Sequence, residues 1–144
     1  MTVIKDEILI NCSPEPIFKE ISSIDFLKHI GASPGVENII TYQNNRLAKY
    51  VVKGRFNNIQ VSMESERIVI PESLTVVTQR RNMPGIKYAL NLFVLKKQDK
   101  STVLSLIEEF EKEDGEPDAI ALENNIKRNR ALAETIVRYF DGKK

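Results

Sequence analysis

The sequence predicts an α+β domain in which a seven-stranded, curved antiparallel sheet wraps on a long C-terminal helix, with two short helices after the first strand. Three observations carry this reading. Six stretches between Val36 and Lys112 have strand character and are divided by short turn signals. The last stretch, Ala119–Phe140, contains neither Gly nor Pro and keeps apolar residues on one helical stripe. The whole chain, 1–144, has the length of one domain, with no linker, repeat or low-complexity tract.

The first segment, Val3–Cys12, places Ile4, Ile8, Ile10 and Cys12 at period two, with one break at Asp6, as a strand with one buried face requires. Ser13-Pro14-Glu15 then reads as a helix start: Ser suits the N-cap, Pro the first helical position, and an acid the positive end of the dipole. Ile17, Phe18, Ile21 and Ile24 follow at helical spacing. A second short helix, Asp25–Ile30, carries Phe26, Leu27 and Ile30 and stops at Gly31.

After Pro34-Gly35 the pattern changes. Strands are expected over Val36–Tyr42, Leu47–Phe56, Asn58–Ile70, Ser73–Arg81, Ile86–Lys97 and Thr102–Lys112. The separators are Gln43-Asn44-Asn45, Asn57-Asn58, Pro71-Glu72, Asn82-Met83-Pro84-Gly85 and Gln98-Asp99-Lys100. Links this short force antiparallel pairing, because a parallel crossover needs about a dozen residues or more. Asp114-Gly115-Glu116-Pro117 breaks the pattern, and Asp118 stands as the N-cap of a helix of about 22 residues, roughly 33 Å long. Leu122, Ile126, Ala133, Val137 and Phe140 form its apolar stripe, interrupted by Asn129. Glu123–Lys127 and Glu134–Arg138 are favourable pairs on its solvent side. Such a helix covers one face of the sheet, and sheet twist makes that face concave.

Composition excludes several function classes. Twenty-one basic residues face 20 acidic ones, mixed along the chain, so the net charge of +1 gives no basic stripe for a nucleic acid. With one cysteine, Cys12, and one histidine, His29, there is no internal disulfide and no Cys- or His-based metal site. No phosphate-binding loop or nucleophile elbow is present, and nothing calls for a cofactor. The N-terminus carries Lys5, Asp6 and Glu7 where a signal peptide needs an apolar run. No stretch approaches the roughly 18 apolar residues of a membrane span, and mean hydropathy is -0.27. The expected location is cytoplasmic.

The run ILINCSPEPIFKEISSIDFLKHI resembles the opening of the START-like, or SRPBCC, superfamily, which includes Bet v 1-like proteins and polyketide cyclases and dehydrases. Members typically begin with a strand, a small-residue-Pro step and a helix with an apolar-Phe pair; here Ser13-Pro14 and Ile17-Phe18 stand at those places. Strand count and closing helix match as well, so the resemblance covers nearly the whole chain. Many bacterial cyclase-like members carry a Trp shortly after the second helix. Here that stretch runs from His29 to Val36 without one, so the resemblance names the superfamily and no subfamily. It implies the helix-grip fold, with a hydrophobic cavity between sheet and C-terminal helix.

The candidate ligand-binding set is Met63, Thr78, Arg80, Tyr88, Leu90, Leu122, Ile126, Asn129 and Ala133. Thr78 and Arg80 alternate with Leu74 and Val76 on one strand face, and Arg80 either reaches inward to an anionic group or pairs with a surface Glu. Tyr88 shares a face with Ile86, Leu90, Leu92 and Val94. There it offers a hydroxyl to a ligand or is simply a core Tyr. Met63 suits an irregular pocket or a plain core. Asn129 on an apolar stripe needs a partner: a sheet side chain, a water or a ligand. Glu108 and Glu109 are consecutive, so one points to each sheet face, and the inward one is a candidate acid. His29 reads as a rim residue and Cys12 as a small buried residue at a strand end; no catalytic residue is assigned. The leading expectation is a carrier or binding module for a lipid, isoprenoid or polyketide-like molecule. The alternatives are a cyclase or dehydratase-like enzyme, and a protein-interaction module of the co-chaperone or carbon monoxide dehydrogenase-associated type, with a protein partner or a second copy.

Overall fold

The computed structural model describes residues 1–32, 35–56 and 58–142. Strand β1 (Thr2–Ile10) is followed by helices α1 (Pro14–Ile21) and α2 (Phe26–His29). Six further strands follow: β2 (Glu37–Gln43), β3 (Leu47–Phe56), β4 (Ile59–Ile70), β5 (Thr75–Arg81), β6 (Ile86–Gln98) and β7 (Ser101–Lys112). Helix α3 (Ala119–Asp141) closes the chain. The sheet order is β1-β7-β6-β5-β4-β3-β2, antiparallel at every pairing. Sequence reading anticipates the six-strand meander; the pairing of β1 with β7 places the first strand beside the last.

The start of each helix follows from its sequence. Pro14 occupies the first turn of α1 with Ser13 at the N-cap, although the Ser13 hydroxyl makes no cap bond. Asp118 does cap α3, its carboxylate accepting from the Ala121 N–H at 2.8 Å. Glu123 and Lys127 pair at 3.2 Å, whereas Arg138 reaches Thr135 Oγ1 at 3.4 Å rather than Glu134. Strand β5 starts at Thr75, because Leu74 ends a 3-10 turn in the left-handed region, with φ 51°. Leu74 nevertheless packs against the main core.

Helix α3 lies on β1 and, more lightly, β7, burying Asn129, Ala133, Ile136 and Phe140. The main apolar cluster joins the last three of these to Ile10, Ile17, Ile21, Phe26, Val76, Phe93, Leu95, Leu104 and Leu106. Phe26 is its keystone: its ring centroid lies 6.1 Å from that of Phe140 and 6.4 Å from that of Phe93. A second cluster, Ala48, Tyr50, Val52, Val61 and Met63, lies on β3 and β4 and is covered by Ile24, Val36 and Met83. A third, Ile4, Ala89 and Phe110, meets Leu122, Ile86 and Met83. Most domains have one contiguous core; here something polar divides it.

Candidate functional site

The dividing feature is read directly from strand register. On the face toward α3, Arg67 of β4 stands opposite Thr78 of β5, Thr78 opposite Asn91 of β6, and Asn91 opposite Glu108 of β7. One step along, Tyr50, Ser65 and Arg80 form a second row. These polar residues run across the concave surface between the apolar clusters. Arg67 is 3% exposed, Ser65 and Thr78 are also buried, and Arg80 and Glu108 are half-buried.

Each buried polar group needs a partner, because an unbonded one costs about 1–3 kcal/mol. Arg67 Nη1 donates to the Ile21 carbonyl at 3.1 Å and to that of Ser23, closing the C-terminal end of α1. Among the described residues its Nε has no partner, and neither do Arg80 Nε and Ser65 Oγ. Burial holds the Arg67 guanidinium below its ordinary range; the Tyr50 hydroxyl pulls it back up, and the charge of Arg80 pushes it further down. Burial raises the Glu108 carboxyl above the usual 4.5, against the pull of Arg128 and Arg80. Arg128 approaches Glu108 at 3.8 Å from the exposed side of α3.

The nine candidate positions divide between the two faces. Met63 and Thr78 are buried on the inner face, Arg80 points the same way, Ala133 is fully buried on the sheet-facing side of α3, and Leu122 is half-buried against the third cluster. Asn129 also faces inward, and its partner is a sheet side chain. Its Nδ2 donates to Asp6 Oδ2 at 2.6 Å, while Arg130 Nε meets Asp6 Oδ1 at 2.8 Å. Three positions are corrected. Tyr88 and Leu90 lie on the outer face, because Leu90 stands opposite Glu109 and the inward residues of β6 are Ala89, Asn91, Phe93 and Leu95. The Tyr88 hydroxyl donates to Glu109 Oε1 at 3.3 Å. Ile126 is 46% exposed, because Asn129, Ala133, Ile136 and Phe140 carry the buried stripe of α3.

Several functional candidates escape sequence reading. Arg67, Ser65 and Asn91 sit at inward positions of strands whose alternation is visible, but their polar character argues for the solvent side. The signal that finds them is register: Ser65 and Arg67 share the parity of Val61 and Met63. Of the acid pair, Glu108 is the inward one. His29 is exposed, its ring edge-on to Tyr139, and Cys12 is half-buried beside the main core.

The apolar space expected between sheet and α3 is in part filled, since the rings of Phe26, Phe93 and Phe140 occupy the end beneath the last turns of the helix. Two recesses lie elsewhere. One, of about 290 Å³, sits on the outer face by Lys49, Glu64, Glu66, Gln79 and Arg81. The other, of about 540 Å³, is a cleft along α1 and α2 by Lys19, Glu20, Asp25 and His29. Among the described residues, no three His, Cys, Asp or Glu side chains gather as a metal site, and no helix is long and apolar enough to cross a membrane.

No protein-family model and no curated protein matches the sequence. The fold does have solved counterparts. The ZhuI aromatase/cyclase from Streptomyces sp. R1128 superposes with a TM-score of 0.78 at 11% identity, over 97% of this chain and 93% of that one. This is the START-like helix-grip fold. A START superfamily protein from Mycobacterium smegmatis matches it at a TM-score of 0.77 and 11% identity, over 99% of both chains. Ara h 8.0201 matches at 0.75 and 12% identity, over 98% of both. Identities this low describe the START-like architecture alone, since one fold hosts many functions.

Proposed function

We propose that this START-like chain binds a small, mainly apolar molecule on the concave face of its sheet and acts as a carrier or binding module. The observation that supports it is the divided core. A sheet closed over a helix would be most stable with one continuous apolar filling, yet here a polar band with unpartnered buried atoms separates three clusters. Helix α3 covers the β1–β7 side, and among the described residues the hydrophobics packed over the inner surface of β3 and β4 are Ile24, Val36 and Met83. A ligand lying there would meet Tyr50, Val52, Val61 and Met63 along its apolar length and the Arg67–Thr78–Asn91–Glu108 row at its polar end. Apolar contact supplies affinity, at about 25 cal/mol per Å² before ordering costs, and the row supplies orientation. A lipid, an isoprenoid or a polyketide-like molecule fits this description, in line with the aromatase/cyclase name of one structural counterpart.

Native mass spectrometry of protein purified from its own host, followed by extraction of the released molecule, tests the reading. A stoichiometric apolar passenger is expected. Protein that emerges bare, and that takes up no apolar probe when offered one, would sink it.

Glu108 favours a second reading, in which the same site moves protons on its ligand. A carboxyl whose pKa burial raises, on the row that would face the ligand, has the character of a general acid. Under that reading Glu108→Gln abolishes turnover of a polyketide-like substrate and leaves its binding intact. Equal turnover by the variant would remove it.

A further inference from the structure

The apolar walls of the proposed ligand site are indifferent to the charge of its occupant; the arginines are not. Ser65 and Arg80 are cross-strand partners, and so are Arg67 and Thr78. Arg67 and Arg80 are therefore diagonal neighbours on one sheet face, about 7–8 Å apart at the backbone, within reach of long side chains. Two guanidiniums in a partly dry interior repel, and the influence of Arg80 on Arg67 is one sign of it. Three polar atoms of this group, Ser65 Oγ, Arg67 Nε and Arg80 Nε, are buried without a partner among the described residues. Arginine nitrogens only donate, and the serine hydroxyl can do so too, so all three can be met by one acceptor-rich group.

The carboxylates nearby are already engaged. Asp25 is exposed and accepts from Asn38 Nδ2 at 3.0 Å. Glu108 faces both Arg80 and Arg128. Asp6, also on the inner face, is held by Asn129 and Arg130, so Arg67 and Arg80 keep positive charge that an anion would offset. A carboxylate also matches the planar fork of a guanidinium with two parallel bonds.

We propose that Ser65, Arg67 and Arg80 form the seat of a carboxylate carried at the end of an apolar molecule. This rests on the ligand-binding reading above and adds the class of ligand: an anionic amphiphile rather than a neutral one. The apolar body would run from this seat over Val52, Val61 and Met63.

The test is displacement of the neutral dye Nile red from the native protein by dodecanoate, by its methyl ester and by acetate. Dodecanoate is expected to displace the dye at concentrations at least about tenfold lower than the ester, the scale of a charged hydrogen bond, and acetate is expected not to displace it. Arg80→Met should erase the preference of acid over ester while leaving the ester as effective as before. Equal potency of acid and ester, or a preference that survives Arg80→Met, would overturn the proposal while leaving an apolar site standing. Acetate acting as well as dodecanoate would also overturn it, since the seat would then serve a free anion. Failure of the dye and all three competitors to bind would remove the underlying reading as well. Should Arg80→Met not fold, the acid-over-ester comparison on the native protein decides alone.

Discussion

At the scale of single residues, the two places where the sequence breaks its own pattern explain each other. Asp6 interrupts the apolar alternation of β1 and Asn129 interrupts the apolar stripe of α3, and the two meet at 2.6 Å. Removing one leaves the other buried, so Asn129→Ala should cost about 1–3 kcal/mol by denaturant titration. The double change Asp6→Leu with Asn129→Leu should cost less than the two single changes together, with a coupling of about 0.5–3 kcal/mol. Strictly additive values would mean that the pair does not clasp the helix to the sheet. Glu108 gives a pH prediction. Burial raises its carboxyl above the 4.5 of the unfolded chain. Its contribution to stability is therefore full below that value and is lost as pH rises through the folded value. Glu108→Gln, which never ionises, should melt at a higher temperature than the native protein at neutral pH, with the gap closing toward about pH 4. A gap that is constant with pH would contradict the placement of this carboxyl. The partners of Asp6 and Asn129 are not legible in sequence, because 123 positions separate them and either alone looks like a local defect.

At the scale of elements, strand and helix existence is legible almost throughout, because alternation and turn residues are local signals. Facing is harder. In β6 both faces carry apolar residues, Ala89, Phe93 and Leu95 on one and Leu90, Leu92 and Val94 on the other. The set with fewer polar interruptions faces outward. Asn91 belongs inside because it joins the Arg67–Thr78–Glu108 row, a fact set by the neighbouring strands. The stripe of α3 misleads in a similar way. Ile126 fits a helical spacing from Leu122, but the helix turns its Asn129–Ala133–Ile136 side toward the sheet. Helix α2 has only four residues, too few to be stable alone, so its place depends on Phe26. Phe26→Ala should cost about 3–5 kcal/mol, lowering Tm by roughly 6–20 °C. A loss under about 1 kcal/mol would mean that the aromatic cluster does not hold α2 against α3.

At the scale of the whole molecule, the grip is made on one side. Helix α3 clamps β1 and β7 through apolar contact and the Asp6 clasp, while the other half of the concave sheet is covered by loop residues around a second, smaller apolar cluster. That asymmetry explains why the architecture is readable from the sequence and the site only in part. Architecture depends on local periodicity, whereas the site depends on which residues of five strands fall into adjacent rows. The central claim is that an apolar molecule lies on that concave face, and the three methionines test it directly. Met63 is buried on the inner face and Met83 packs beside it, while Met1 is exposed at the N-terminus. Isotope-labelled methionine methyl groups followed by NMR during titration with Nile red should show the Met63 and Met83 signals moving to saturation while Met1 stays still. Saturable binding that moves Met1 alone, or none of the three, would contradict the account.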